Sequence, residues 1–152
     1  GIKRRFLLFR GQYIHSISKT GRVSLPAKFR DLLEQKYSSN KVIVSLFENC
    51  IVGYPITEWE NLESKILTLP PLKKNTVDFE RYLIGNASEC VIDTEGRINI
   101  PPLLRKNLKL NQQVVFIGIL TRFEIWNETY WNKENKASFK KFQKSRDTID
   151  GI

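Results

Sequence analysis

Ile17-Ser18-Lys19-Thr20-Gly21-Arg22-Val23-Ser24-Leu25-Pro26 recurs 75 positions later as Ile92-Asp93-Thr94-Glu95-Gly96-Arg97-Ile98-Asn99-Ile100-Pro101. Gly21 lies over Gly96, Arg22 over Arg97 and Pro26 over Pro101. Beyond the prolines, Arg30 lies over Arg105 and Leu33 over Leu108. The same residue types in one order and spacing, with matched apolar positions between them, mark an internal duplication. Further along the shift becomes 72: Ile51-Val52-Gly53-Tyr54 lies over Phe123-Glu124-Ile125-Trp126, and Trp59 over Trp131. The second copy is therefore three residues shorter between its parts.

Each copy has the same local logic. Ser18 to Gly21 and Asp93 to Gly96 fit a four-residue type I turn, with Ser or Asp first and Gly fourth. Tyr13, His15 and Ile17 alternate before the first turn, and Cys90 and Ile92 before the second. After the turns Val23 and Leu25 are predicted to point one way and Arg22 and Ser24 the other. Ile98 and Ile100 repeat this against Arg97 and Asn99. Pro26 and Pro101 end these strands and are predicted at the first position of a helix, with Phe29 and Leu33, or Leu104 and Leu108, on one helical face. Val42–Leu46 and Val114–Leu120 read as buried strands paired with 51–54 and 123–126. The expected class is mostly β (α+β): strand, turn, strand, helix, hairpin, helix, written twice. Residues 64–82, with Pro70-Pro71, read as helix, proline break and short helix.

The totals set limits. At 152 residues the chain allows one or two small domains, and 41% hydrophobic residues suffice for a core. Two separate modules of this size would each be marginal, so the halves are expected to share a core or the chain to oligomerise. The net charge is +9, with eight Lys or Arg and no acid from Gly1 to Arg30. A second basic run holds Lys133, Lys136, Lys140, Lys141, Lys144 and Arg146. Such a surface suits a polyanion, nucleic acid above all, or serves solubility alone.

Cys50 and Cys90 stand alone with one histidine, His15, too few ligands for a zinc site. Free buried thiols are expected. No stretch approaches the roughly 20 apolar residues of a membrane span, and the opening residues read as a basic arm and first strand rather than a signal peptide. With no methionine in the chain, residue 1 need not be the natural start. No nucleophile motif, Gly-rich phosphate loop or carboxylate pair suggests an enzyme, and no cofactor is expected.

Phe9-Arg10-Gly11, the stretch from Gly21 to Arg30, Asp93-x-x-Gly96-Arg97-Ile98-x-Ile100-Pro101-x-x-Leu104-Arg105, and Phe123-Glu124-Ile125-Trp126 together resemble the MraZ family. That family lies within the AbrB-type swapped-hairpin superfamily. The resemblance runs from about Phe6 to Trp131. It implies two tandem AbrB-like swapped-hairpin halves forming a double-psi-like β-barrel with flanking helices. On that pattern the chain divides into a basic extension (1–5), a first repeat (6–63), a helical connector (64–82), a second repeat (83–132) and a basic C-terminal helix or tail (133–152). It also implies a cytoplasmic, nucleoid-associated transcriptional regulator. Such a protein would bind double-stranded DNA at short promoter direct repeats ahead of a cell-division and cell-wall gene cluster, as a ring-like homo-oligomer. The family motif Asp-x-x-x-Arg is met in full by Asp93 and Arg97. In the first copy Ser18 replaces the acid before Arg22; serine can begin the turn but cannot form an ion pair.

An arginine at the exit of a tight turn can grip two phosphate oxygens or the O6 and N7 edge of guanine, or bridge to a carboxylate within the fold. Arg22 and Arg97 are the candidate DNA-binding residues, with Ser18, Lys19, Gly21, Asp93 and Gly96 shaping and charging the turns. Lys28, like Lys19, has no basic counterpart in the second copy. Arg30 and Arg105 are expected in a structural salt bridge or a subunit contact. His15 is read as a packed histidine, and Trp59, Trp126, Trp131, Tyr54 and Phe123 as packing rather than base-stacking residues. The alternative is an AbrB-type antitoxin-like protein-interaction module, which the basic rather than acidic C-terminus disfavours.

Overall fold

A computed structural model of the chain describes residues 7–149; the expected basic extension at 1–5 lies outside the described residues. The first copy supplies β1 (Phe9–Ser16), β2 (Arg22–Ser24), α1 (Ala27–Tyr37), β3 (Lys41–Phe47), β4 (Cys50–Pro55) and α2 (Ile56–Leu67). A connector carries α3 (Lys74–Phe79), which passes directly into a π-helical turn at Glu80–Ile84. The second copy repeats the order as β5 (Ser88–Val91), β6 (Arg97–Asn99), α4 (Pro102–Leu108), β7 (Gln113–Leu120), β8 (Arg122–Asn127) and α5 (Glu128–Ser145).

The strands form a six-stranded sheet in the order β1-β7-β8-β4-β3-β5 and a two-stranded ribbon of β2 with β6. Every pairing is antiparallel. Each copy makes its own hairpin, β3 with β4 and β7 with β8, and the two hairpins meet where Ile51 faces Ile125. The first strand of each copy pairs with a hairpin strand of the other. β1 lies along β7, from Phe9 opposite Leu120 to Ser16 opposite Gln113, and β5 lies along β3. The ribbon also takes one strand from each copy.

The hairpin strands alternate between two cores. Val42, Val44, Ile51, Val114, Phe116, Phe123 and Ile125 face one cluster, together with the ribbon's Val23 and Ile98 and the helices' Phe29, Leu33, Leu104 and Leu108. Cys50, Val52, Val115, Ile117 and Trp126 face the other, against Trp59 of α2 and Leu83 of the π turn. Strands covered on both faces need near-continuous apolar runs, which is why β7 reads Val-Val-Phe-Ile. The first core holds residues of both copies in contact: Phe29 meets Phe9 at 5.1 Å and Phe123 at 5.5 Å between ring centroids. The halves therefore share this core, and the second cluster likewise joins residues of both.

One expectation is adjusted. Pro26 and Pro101 precede their helices rather than begin them, since their ψ values of 138° and 139° are still extended; Pro102 takes the first helical position of α4. The paired aromatics are packed: Trp59 against Tyr54 at 5.5 Å, Trp126 against Trp131 at 5.6 Å, and Phe123 fully buried. The late basic run is carried on one continuous helix, α5, capped by Asn127, whose Oδ1 accepts from the backbone of Thr129 and Tyr130. No described helix is long and apolar enough to cross a membrane.

Candidate nucleic-acid interface

The two Gly-Arg turns lead into the same ribbon. In the first, Gly21 N–H donates to Ser18 O at 3.0 Å and Ser18 N–H to Arg22 O at 2.9 Å. In the second, Gly96 N–H donates to Asp93 O and Asp93 N–H to Arg97 O, both at 2.9 Å. Gly21 and Gly96 have φ of +94° and +80°, in the left-handed region that a Cβ disfavours. The glycine at the fourth turn position is thus required by the backbone, and the hairpins close as the sequence predicts.

Within the ribbon Arg22 stands opposite Asn99, Val23 opposite Ile98 and Ser24 opposite Arg97. Paired residues of an antiparallel ribbon share a face. Val23 and Ile98 are buried, so Arg22, Ser24, Arg97 and Asn99 form the outer face. The two arginines are diagonal neighbours, a relation that places such residues about 7–8 Å apart, and their Cβ atoms somewhat less. His15 braces this layer: its Nδ1 lies 2.6 Å from Ser24 O, and its ring meets Phe116 edge-on at 5.5 Å. A carbonyl can only accept, so Nδ1 carries the hydrogen.

The turns differ in charge. Asp93 Oδ1 accepts from the backbone N–H of both Glu95 and Arg97 at 2.9 Å, and Oδ2 accepts from Arg97 Nε at 3.1 Å. The Arg97 backbone N–H above all holds the Asp93 carboxyl below its ordinary value; burial opposes it, and the Arg97 side chain, the Glu95 N–H and the guanidinium charge add to the lowering. Arg97 Nη2 also meets Glu95 Oε2 at 3.2 Å. Its guanidinium is therefore fixed and flanked by two carboxylates. Ser18 reproduces only the backbone part of this, with its Oγ accepting from Arg22 N–H at 3.0 Å. The Arg22 guanidinium makes no hydrogen bond or ion pair among the described residues, and Arg22 and Lys19 are both exposed. Turn one is a free double cation; turn two carries one cation against two anions. Glu95 was the member not singled out from sequence, although its place two residues before Arg97 on a tight turn is the signal for it.

Arg30 and Arg105, expected in a structural salt bridge or a subunit contact, are in no ion pair among the described residues. Each instead crosses to the other copy. Arg105 of α4 donates from Nη1 to Lys19 O at 3.0 Å and from Nε to Ile100 O at 3.1 Å, and lies against Gly21. Arg30 of α1 lies against Gly96, where an added Cβ would fall 2.6 Å from its Cδ and 2.7 Å from its Cζ. Its Nε is buried and has no partner among the described residues. Lys28 is exposed on α1, and the lysines of α5 are exposed along the helix. No cluster of metal-binding side chains occurs among the described residues. The free thiols are both buried; burial and then the nearby Glu124 push Cys50 far up, and burial with Glu89 pushes Cys90 up to about 11.

Comparison with known proteins places these turns in a wider set. A family profile described as "MraZ protein, putative antitoxin-like" matches residues 8–81 and again 83–151, one match for each copy. A protein named transcriptional regulator MraZ from Caldanaerobacter subterraneus subsp. tengcongensis is 39% identical over 142 residues, 93% of this chain and 96% of the relative. One of the same name from Syntrophobacter fumaroxidans is 40% identical over 143 residues, 94% and 95% of the two chains. Another from Caldicellulosiruptor saccharolyticus is 40% identical over 124 residues, 82% and 84%.

Proposed function

The chain belongs to the MraZ family, and from that premise we propose that it is a sequence-specific DNA-binding transcriptional regulator whose reading surface is the outer face of the β2–β6 ribbon. The observation that carries this is the convergence of Arg22 and Arg97 on one polar ribbon face. A two-stranded ribbon fits the DNA major groove, and arginine is the side chain suited to guanine there. A diagonal separation of about 7–8 Å corresponds to about two base steps of 3.4 Å. Lys19 adds a phosphate contact, Gly21 and Gly96 shape the turns, and Ser18 and Asp93 pin them.

The pairing of each first strand with the other copy's hairpin and the mixed ribbon support two swapped-hairpin halves closing a barrel-like unit, with residues 6–63 and 83–132 as the repeats, 64–82 as connector and 133–152 as a basic C-terminal segment. We place the protein in the cytoplasm at the nucleoid. A ring-like homo-oligomer binding short direct repeats upstream of a cell-division and cell-wall gene cluster completes the reading. One ribbon makes few contacts, and linked ribbons on repeated sites gain through effective concentration.

The test is the double variant Arg22→Ala/Arg97→Ala, assayed by fluorescence anisotropy on duplexes that the wild-type protein selects from a random pool. Loss of selective binding with an unchanged melting curve is expected. Selective binding at wild-type strength by the folded variant refutes the assignment. The family description's words "antitoxin-like" favour a second reading, a protein-interaction module. Recovery of one stoichiometric protein partner, with no DNA retained at physiological salt, would decide for it.

A further inference from the structure

We infer that Arg105 and Arg30 are cross-copy positioning residues: each, from the helix of one copy, sets the Gly-Arg turn of the other. The inference rests on the DNA-binding reading for its functional consequence, but its structural basis is independent of it. Lys19 lies 86 residues from Arg105 in the chain, and its carbonyl forms the exposed arc of turn one. Arg105 grips that carbonyl and Ile100 O at once, a fork that a lysine's single ammonium cannot reproduce. Ile100 N–H donates to Gly21 O at 2.8 Å, so turn one is held at both sides by the second copy. Turn two receives the reciprocal bond, Leu25 N–H to Gly96 O at 3.0 Å, with Arg30 packed over Gly96. The two glycines thereby have a second requirement beyond φ: a Cβ at either would occupy the space of the opposing arginine.

The consequence is crossed dependence. Damage to the second copy's Arg105 disorders the aim of Arg22, in the first copy, and damage to Arg30 disorders that of Arg97. Arg105, with both carbonyl bonds in place, exerts the larger effect.

Two measurements test this. Anisotropy with a fluorescein-labelled duplex selected by the wild-type protein compares Arg105→Ala, Arg105→Lys, Arg22→Ala and the double variants. Arg105→Ala and Arg105→Lys should each weaken binding about tenfold, which is about 1.4 kcal/mol. Arg105→Ala should add less than about twofold to Arg22→Ala but its full effect to Arg97→Ala, since coupling betrays a shared unit. Wild-type binding by Arg105→Lys while Arg105→Ala and Arg22→Ala both weaken it would mean a direct phosphate contact and overturn the inference, as would additivity with Arg22→Ala.

Amide hydrogen exchange on the free protein decides the structural part even if DNA plays no role. Arg105→Lys should speed exchange at Gly21 and Ile100 while leaving Gly96 and Leu25 unchanged, and Arg30→Lys should do the reverse. Uniform or unchanged exchange in both variants refutes the positioning role. Loss of DNA binding in none of the arginine variants, with the crossed exchange pattern intact, would sink the DNA reading and leave the clamp standing.

Discussion

Removing the Glu95 charge should strengthen DNA binding. Glu95 Oε2 sits 3.2 Å from Arg97 Nη2, with its side chain 69% exposed. A phosphate held by Arg97 at hydrogen-bond distance would lie roughly 6 Å from that carboxylate. In water two unit charges at about 6 Å repel by about 0.7 kcal/mol, or about threefold in affinity per engaged turn. The water dielectric applies because Glu95 is mostly solvated. The lost ion pair does not offset this gain. Exposed pairs contribute about 0–1 kcal/mol, Asp93 still holds Arg97 through Nε, and the Nη2 bond to Glu95 competes with phosphate. Anisotropy of Glu95→Gln against wild type at about 50 mM salt should show the increase. The ratio should shrink towards one as salt shortens the screening length from about 10 Å at 0.1 M to about 3 Å at 1 M. Glu60→Gln, on α2 against the opposite face of the sheet, is the control for net charge alone and should change little. Equal or weaker low-salt binding by Glu95→Gln would refute the claim that turn two's anions oppose its arginine.

Asp93 contributes stability of a definite sign with pH. Its folded value is depressed, so the contribution is present above the ordinary aspartate range and is lost as pH falls through the folded value. The melting difference between wild type and Asp93→Ala should therefore be constant near neutrality and vanish on acidification; a difference that grows in acid would reverse the assignment. Phe29, 1% exposed and in ring contact with aromatics of both copies, should cost about 3–5 kcal/mol when changed to alanine. Urea unfolding should show one transition shifted as a whole, and two separable transitions would contradict the shared core. Cys50 and Cys90 should react with a thiol reagent at pH 8 far more slowly in the native than in the denatured protein; equal rates would place the thiols outside the core.

Much of the site was legible in the sequence because its determinants are local. A glycine at positive φ, a Ser or Asp accepting from a backbone N–H four residues on, and an arginine at the turn exit all lie within five residues of each other. Period-two alternation separated Val23 and Ile98 from Arg22 and Arg97 for the same reason. The helix starts were displaced by one residue, since proline at either position restricts φ alike and only ψ distinguishes them.

The pairing of strands between the copies was decided by tertiary structure. β3 and β7 are both apolar runs, and either could accept β1 on composition. Covering both faces of the central hairpins while joining the two ribbon strands selects β7 for β1 and β3 for β5. The roles of Arg30 and Arg105 follow from that pairing. A residue 86 positions from its partner has no signature at helix or strand period, and only the closed fold brings its guanidinium to the other copy's turn. By itself, then, the sequence determined the duplicated turns, whose hydrogen bonds close within a few residues. The tertiary structure alone decided how one copy holds the other, because that depends on which apolar surfaces end up buried together.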